Sequence, residues 1–131
     1  MAFSLASIQR NQPKAPRILV HGMPGVGKTT FAASAPDPIV IQTEDGLGAL
    51  DVPTFPLATE YSQVIEALAS LYQEEHRFQT LVVDSLDWLE PLVWRAVCDD
   101  NNWESIESPG YGRGFVEALS YWRRFFQAIT A

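Results

Sequence analysis

Residues 22–29 have the residue types and spacing that a protein needs to hold a phosphate group. The run Gly-Met-Pro-Gly-Val-Gly-Lys-Thr fits the pattern G-x-x-x-x-G-K-[ST] of a P-loop, also called Walker A. Its glycines allow backbone dihedrals closed to other residues, so successive N–H groups can turn inward around an anion. In such a loop Lys28 reaches the β- and γ-phosphates of a nucleotide, and the Thr29 hydroxyl is a ligand of the bridging Mg²⁺.

The alternative for this segment is a glycine-rich turn that binds nothing. Such a turn does not need a lysine followed by a hydroxyl residue, whereas an apolar run before the loop and a helical pattern after it are what a P-loop requires. The pattern therefore predicts a nucleotide site, with ATP and Mg²⁺ as the expected ligands. The predicted nucleotide-binding residues are Gly22, Pro24, Gly25, Val26, Gly27, Lys28, Thr29 and Thr30.

An aspartate closes an apolar run downstream of the loop. Residues 80–83 are a predicted buried strand, and Asp84 ends it. An aspartate at this place is the expected second half of a P-loop site, where it orders the Mg²⁺ shell, usually through water. The alternative is a cap on the following helix, a role that Ser85 can fill instead. The predicted metal-binding residues are therefore Thr29 and Asp84.

Two further carboxylates, Glu44 and Asp45, follow the apolar run at residues 39–42. Ligands of open parallel α/β sheets lie beyond the carboxyl ends of the strands, so both side chains are expected at the edge that carries the P-loop. Both residues are thus candidates for the site. The alternative for each is a solvated acid in a turn.

The elements that must position these residues follow from hydrophobic periodicity, which alternates between strand and helix as in α/β proteins. Strands are predicted at residues 17–21, 39–42 and 80–84, and a short one at 54–57. Helices are predicted at residues 27–34, 59–74, 85–99 and 115–129, the second with Thr59 as its N-cap. The predicted buried helix positions are Val64, Leu68 and Leu71, then Leu86, Leu89, Val93 and Val97, and finally Phe115, Leu119, Trp122, Phe126 and Ile129. Trp88, Trp94 and His21 are predicted to be packed rather than functional.

Composition excludes several other kinds of site. The 131 residues suit one domain, and the net charge of −7 disfavours a broad surface that tracks nucleic-acid phosphates. Cys98 is alone and only His21 and His76 are present, so neither a disulfide framework nor a zinc cluster is expected. The amino-terminal residues lack the pattern of a signal peptide, and no stretch suits a membrane span, so a cytoplasmic protein without membrane partners is expected.

Over residues 17–129 the sequence resembles the phage-encoded AAA-domain nucleotide-binding proteins with a RecA-like core. The resemblance rests on the P-loop, on Gln42-Thr43-Glu44, on the run from Leu81 to Leu86, and on Tyr111-Gly112-Arg113-Gly114. It implies a P-loop NTPase of three α/β/α layers with a mainly parallel sheet. It also implies phage DNA recombination or single-strand annealing in the host cytoplasm, with single-stranded DNA as a partner.

The resemblance assigns a role to one of the two turn carboxylates. In RecA-like ATPases a glutamate at the end of the strand after the P-loop helix polarises the attacking water, and Glu44 matches that position. Ring-forming ATPases of the other common type place this glutamate directly after the strand-ending aspartate, where this chain has Ser85. The predicted catalytic residues are accordingly Lys28, Glu44 and Asp84.

Three functions are compatible with these residues. An ATPase is favoured over a small nucleotide kinase. A kinase needs a lid with several arginines that closes over the acceptor, and Arg113, Arg123 and Arg124 do not suit such a lid. The third is a nucleotide-gated binding module with little hydrolysis, which holds a partner through its aromatic last helix. Arg113 itself is either a phosphate or partner contact or a solvated loop residue.

The predicted organisation is a lead-in at residues 1–16 and a P-loop domain at 17–131 whose core is incomplete at its carboxyl end. Three strands make a thin sheet, and the apolar stripe of the last helix needs a covering element. RecA-like sheets insert a later strand between the P-loop strand and the strand that ends in aspartate. We therefore expect a marginally stable segment that depends on a missing part or on another copy, whereas a kinase-like fold would pair Leu19 directly with Val82.

Overall fold

The computed structural model describes residues 3–131. After a short 3₁₀ turn at Leu5–Ser7, its regular elements alternate between helix and strand until the last two, which are both helices. They are α1 (Lys28–Ala33), β1 (Pro38–Gln42), α2 (Tyr61–Gln73), β2 (Thr80–Asp84), α3 (Leu86–Asn101) and α4 (Arg113–Thr130). Among the described residues no helix is both long and apolar enough to cross a membrane.

The sheet has two parallel strands, with Ile39 opposite Leu81 and Gln42 opposite Asp84. The other side of β1 is also hydrogen-bonded, because the Phe55 N–H donates to the Val40 carbonyl at 2.9 Å and Thr54 forms a single bridge there. The predicted short strand at 54–57 is thus present only as this bridge. With a neighbour on each side, β1 is the most buried part of the sheet.

The strand predicted at residues 17–21 is not formed, so this prediction was wrong. Ile18 and Leu19 are each 73% exposed, and His21 is exposed rather than packed. An apolar run becomes a buried strand only where another strand supplies hydrogen bonds and a layer covers its side chains. Both edges of β1 are already hydrogen-bonded, one to β2 and one to the bridge at Thr54. In the described part of the chain β2 pairs with β1 alone. Leu19 does not pair with Val82, so the kinase-like strand order is not observed.

The core lies between the helices and one face of β1. Helix α3 packs against both α2 and α4. Most predicted positions on α2 and α3 are buried, with Val64, Leu89 and Val93 fully inside, whereas Leu71 and Leu86 are partly buried. Helix α2 begins at Tyr61 with Glu60 as its N-cap, one residue later than predicted. There the Gln63 side chain accepts hydrogen bonds from the backbone N–H groups of Thr59 and Glu60.

The buried face of α4 differs from the predicted one. Gly114, Ala118 and Phe125 face the core, while the predicted stripe is only partly covered, with Leu119 48% and Phe126 45% exposed. Gly114 and Ala118 explain why this face is turned to the core. Their small size lets α4 approach its neighbours closely, whereas large side chains at the same positions would hold the helix away. Trp88 is likewise 56% exposed rather than packed, although Trp94 does lie against the core.

The elements together form a small parallel sheet with α1 against both strands and a layer of three packed helices. This arrangement is consistent with part of an α/β core of the P-loop type rather than with a complete three-layer sheet. Its consequence for function is that β1 and β2 end side by side. The residues that follow each strand therefore meet at one edge.

Candidate functional site

The glycine-rich loop leads directly into α1. Gly25 and Gly27 have φ values of +81° and +101°, which residues other than glycine rarely adopt. The Val26 N–H donates to the Met23 carbonyl at 3.3 Å, and the Phe31 N–H donates to the Gly27 carbonyl at 2.9 Å, which is the first helical bond. The loop from Gly22 to Gly27 is exposed, and so is Thr30. Its backbone is thus accessible to a ligand.

The side chain of Lys28 folds back over this loop. Its Nζ donates hydrogen bonds to the carbonyl oxygens of Gly22 at 2.5 Å and Met23 at 3.0 Å. An ammonium group has three donors and no acceptor, so these contacts leave further donor capacity at the loop. The positive charge is therefore held at the place where the sequence predicts phosphate binding.

Thr29 connects α1 to the end of β2. Its Oγ1 donates a hydrogen bond of 2.8 Å to Oδ2 of Asp84, and both residues are partly buried. The P-loop hydroxyl and the strand-ending carboxylate, which the sequence predicts as two halves of one site, are thus direct neighbours. Both are hard oxygen donors of the kind that Mg²⁺ prefers.

Glu44 is partly buried and lies near Asp84, whereas Asp45 is exposed. Partial burial raises the pKa of Glu44 above its ordinary value, and the negative charge of the neighbouring Asp84 raises it further. A contact with Ser85 acts in the opposite direction. The charge of one carboxylate disfavours ionisation of a neighbouring one, which is the effect at Glu44. Of the two turn acids, only Glu44 is placed beside Asp84.

Thr43 is a site residue that the sequence reasoning missed. Its backbone N–H donates to the Asp84 carbonyl at 2.9 Å, and its Oγ1 accepts from the Ser85 N–H at 2.9 Å and donates to the Ser85 carbonyl at 2.6 Å. The peptide bond between Asp84 and Ser85 is cis. Thr43 is 8% exposed. A hydroxyl residue between an apolar strand and an acidic turn is the sequence signal that could have drawn attention to it.

Arg113 makes local contacts. Its guanidinium donates to the carbonyl oxygens of Pro109 and Gly110 and lies 5.9 Å from the centre of the Tyr111 ring. These interactions hold the turn that precedes α4. The sequence left open a phosphate or partner contact and a solvated loop residue, and the exposed Arg113, bound to its own loop, agrees with the second.

The residues at this edge fit a magnesium nucleotide better than a protein-only metal site. Within residues 3–131 no three His, Cys, Asp or Glu side chains are grouped closely enough to hold a metal ion by themselves. Mg²⁺ is usually bound through one or two carboxylates, with substrate phosphates and water as the remaining ligands. Thr29 and Asp84 could supply the protein oxygens, and the loop amides with Lys28 could hold the phosphates.

A family model described as an AAA domain matches residues 14–131 of the chain. The match begins shortly before the glycine-rich loop and includes every residue of the site described above. Neither the curated proteins nor the solved structures include a significant match to this chain.

Proposed function

The chain belongs to the AAA domain family, and we propose that it is a Mg²⁺-dependent ATPase. Membership supports nucleotide binding in general. The observation that carries the finer proposal is the hydrogen bond of 2.8 Å between Thr29 Oγ1 and Asp84 Oδ2, beside a glycine-rich loop that holds Lys28. Without a P-loop site, this juxtaposition of a loop hydroxyl and a strand-ending carboxylate has no evident use.

Each residue has a distinct task in this proposal. The loop amides and Lys28 bind the β- and γ-phosphates and stabilise the charge that develops on the transferring phosphoryl group. Thr29 and Asp84 hold the Mg²⁺, which, when bound, would neutralise negative charge on the phosphate oxygens. Glu44 orients the attacking water and accepts its proton at a carboxylate oxygen.

The environment of Glu44 suits a base of this kind. Glu44 is partly buried and lies beside Asp84, at the edge of the sheet that also carries the P-loop. Asp45 lacks this setting because it is exposed at the tip of the turn. Glu44 is for this reason the preferred catalytic carboxylate.

A second candidate function is a nucleotide-gated binding module that hydrolyses little. The half-exposed apolar stripe of α4 favours it, because Phe115, Leu119 and Phe126 present aromatic and aliphatic surface that a partner could cover. A nucleotide kinase has no comparable support, since Arg113 is engaged with its own loop.

A role in phage DNA recombination or single-strand annealing is part of the proposal and rests on the sequence resemblance alone. The net charge of −7 does not favour a broad nucleic-acid surface. Any contact with single-stranded DNA would therefore be local, or would involve another subunit.

Phosphate release from ATP separates these functions. The protein is assayed with and without Mg²⁺, with added single-stranded DNA, and with nucleoside monophosphates as acceptors, while ATP affinity is measured by calorimetry. Mg²⁺-dependent release without an acceptor supports the ATPase, and stimulation by single-stranded DNA supports the role in DNA metabolism. Binding without release supports the module, and phosphoryl transfer to a monophosphate supports a kinase. Absence of ATP binding would refute the nucleotide site.

A further inference from the structure

Thr43 joins the two turns that carry the candidate carboxylates. It stands directly after β1 and directly before Glu44, while its partner Ser85 stands directly after Asp84. Three hydrogen bonds connect Thr43 to the Asp84–Ser85 unit: its backbone N–H donates one, and its hydroxyl donates one and accepts one. One side chain therefore connects both halves of the site.

The Thr43 hydroxyl forms hydrogen bonds beyond the point where the pairing of β1 with β2 ends. Pairing of β1 with β2 ends at Gln42 and Asp84, so the ladder sets the register of the strands but not the path of the chain beyond them. The Ser85 N–H lies past that end, and the Thr43 hydroxyl is its acceptor. The same hydroxyl donates to the Ser85 carbonyl, which also accepts a hydrogen bond of 3.1 Å from the Leu89 N–H of α3. Because Thr43 is 8% exposed, water cannot readily replace its hydroxyl.

We propose that Thr43 is a positioning residue for the ATPase reaction: its hydroxyl holds Ser85 so that Asp84 and Glu44 keep their mutual arrangement. This inference rests on the proposed function. Thr43 touches neither phosphate nor water in the reaction, and it acts through the two carboxylates on either side of the junction. Small displacements of such groups reduce turnover strongly, since reactivity depends on the distance and angle of the reacting atoms.

The test compares Thr43→Val, Thr43→Ser and a matched control. Valine keeps the shape and loses the hydroxyl, whereas serine keeps the hydroxyl and loses a methyl group. Thr80→Val is the control, because the Thr80 hydroxyl also donates to a backbone carbonyl, that of Pro36 at 2.8 Å, but at the opposite end of β2. We expect Thr43→Val to lower kcat roughly tenfold or more with ATP affinity within about twofold. Thr43→Ser should recover most of the rate, and Thr80→Val should match the wild type.

A second measurement needs no nucleotide. The Ser85 amide should exchange its hydrogen roughly tenfold or more faster in Thr43→Val than in wild type, Thr43→Ser or Thr80→Val, because its acceptor is lost. If Thr43→Val does not fold, Thr43→Ala replaces it, since water can enter the space left and satisfy Ser85 while the side-chain connection is still broken.

The outcomes separate this inference from the proposed function. If the wild-type protein neither binds nor hydrolyses ATP, the proposed function is wrong, regardless of how the variants behave. If the wild type hydrolyses ATP and Thr43→Val (or Thr43→Ala) turns over normally, the positioning role is wrong. It is also wrong if Thr43→Ser is as slow as Thr43→Val, or if exchange at Ser85 is unchanged.

Discussion

Thr29 Oγ1 and Asp84 Oδ2 are joined by a hydrogen bond of 2.8 Å although 55 positions separate the two residues in the chain. Helix α1 presents the first and the end of β2 presents the second. Because α1 lies against both strands, the P-loop and the carboxyl edge of the sheet share one site. The consequences of this contact can be tested residue by residue.

Lys28→Ala is expected to abolish ATP binding or hydrolysis, with a loss of turnover of roughly 100-fold or more. The variant removes the cation held over the loop, so the negative charge of the β- and γ-phosphates is no longer neutralised. Calorimetry and phosphate release measure the effect. Lys14→Ala, which alters an exposed lysine before the loop, is the matched control. Normal affinity and turnover in Lys28→Ala would rule out the P-loop site.

Glu44→Gln is expected to keep ATP affinity but to slow hydrolysis by roughly 10²-fold or more, because the base is lost while phosphate contacts remain. Asp45→Asn makes the same change one residue along, on an exposed side chain, and should leave the rate near that of the wild type. Single-turnover measurements with saturating ATP provide the comparison. If Asp45→Asn is the slow variant and Glu44→Gln is normal, Asp45 is the catalytic carboxylate.

Asp84→Asn should raise the Mg²⁺ concentration needed for half-maximal hydrolysis by roughly 10- to 100-fold. The amide keeps the size of the side chain and loses the charge that attracts the metal. Titration of phosphate release with Mg²⁺ measures this shift, and Asp87→Asn, an exposed residue in the first turn of α3, is the control. An unchanged Mg²⁺ requirement in Asp84→Asn would show that Asp84 does not hold the metal.

Gly114→Ala should destabilise the fold, although alanine is normally the better helix residue. A Cβ at this position would lie 1.8 Å from the carbonyl oxygen of Ile106, which belongs to the preceding loop. Relief of this overlap requires backbone movement and is expected to cost about 1–3 kcal/mol of the free energy of unfolding. Urea denaturation measures it against Ser120→Ala, an exposed change in the same helix that should shift stability by less than about 0.5 kcal/mol. An unchanged midpoint in Gly114→Ala would mean that the loop and α4 are not in this close contact.

The hydroxyl of Tyr121 predicts how stability changes at alkaline pH. Burial of the ring, followed by the hydrogen bond that Tyr121 donates to the Asp100 carboxylate, raises the pKa of Tyr121 to about 12. An unfolded tyrosine loses its proton near pH 10, so stability from this group is complete below about pH 10 and is lost as the pH rises to about 12. As the pH rises from about 10 to about 12, we expect the thermal midpoint of unfolding to fall less for Tyr121→Phe than for the wild type. Identical slopes would contradict the raised pKa of Tyr121.

Local sequence determined the two motifs and most of the element boundaries. The P-loop follows from a short pattern of glycines, lysine and hydroxyl, because each residue is needed for its own backbone conformation or donor group. Strand β2 and its final Asp84 follow from an apolar run that ends in a charge. The buried faces of α2 and α3 follow from helical spacing, since each helix has one apolar stripe.

Only the tertiary structure decided which elements meet. Residues 18–20 form an apolar run like that of β2, yet a strand needs a partner, and neither β1 nor β2 takes this segment. Helix α4 has two faces that could be buried, the predicted apolar stripe and the face with Gly114 and Ala118. The second is buried because its small residues allow close packing. The position of Thr43 between a strand and an acidic turn is a local signal, but its partner is not, because Ser85 is 42 residues away and comes beside it only when the strands pair. Contacts between distant segments depend on packing and hydrogen bonds that no local pattern records.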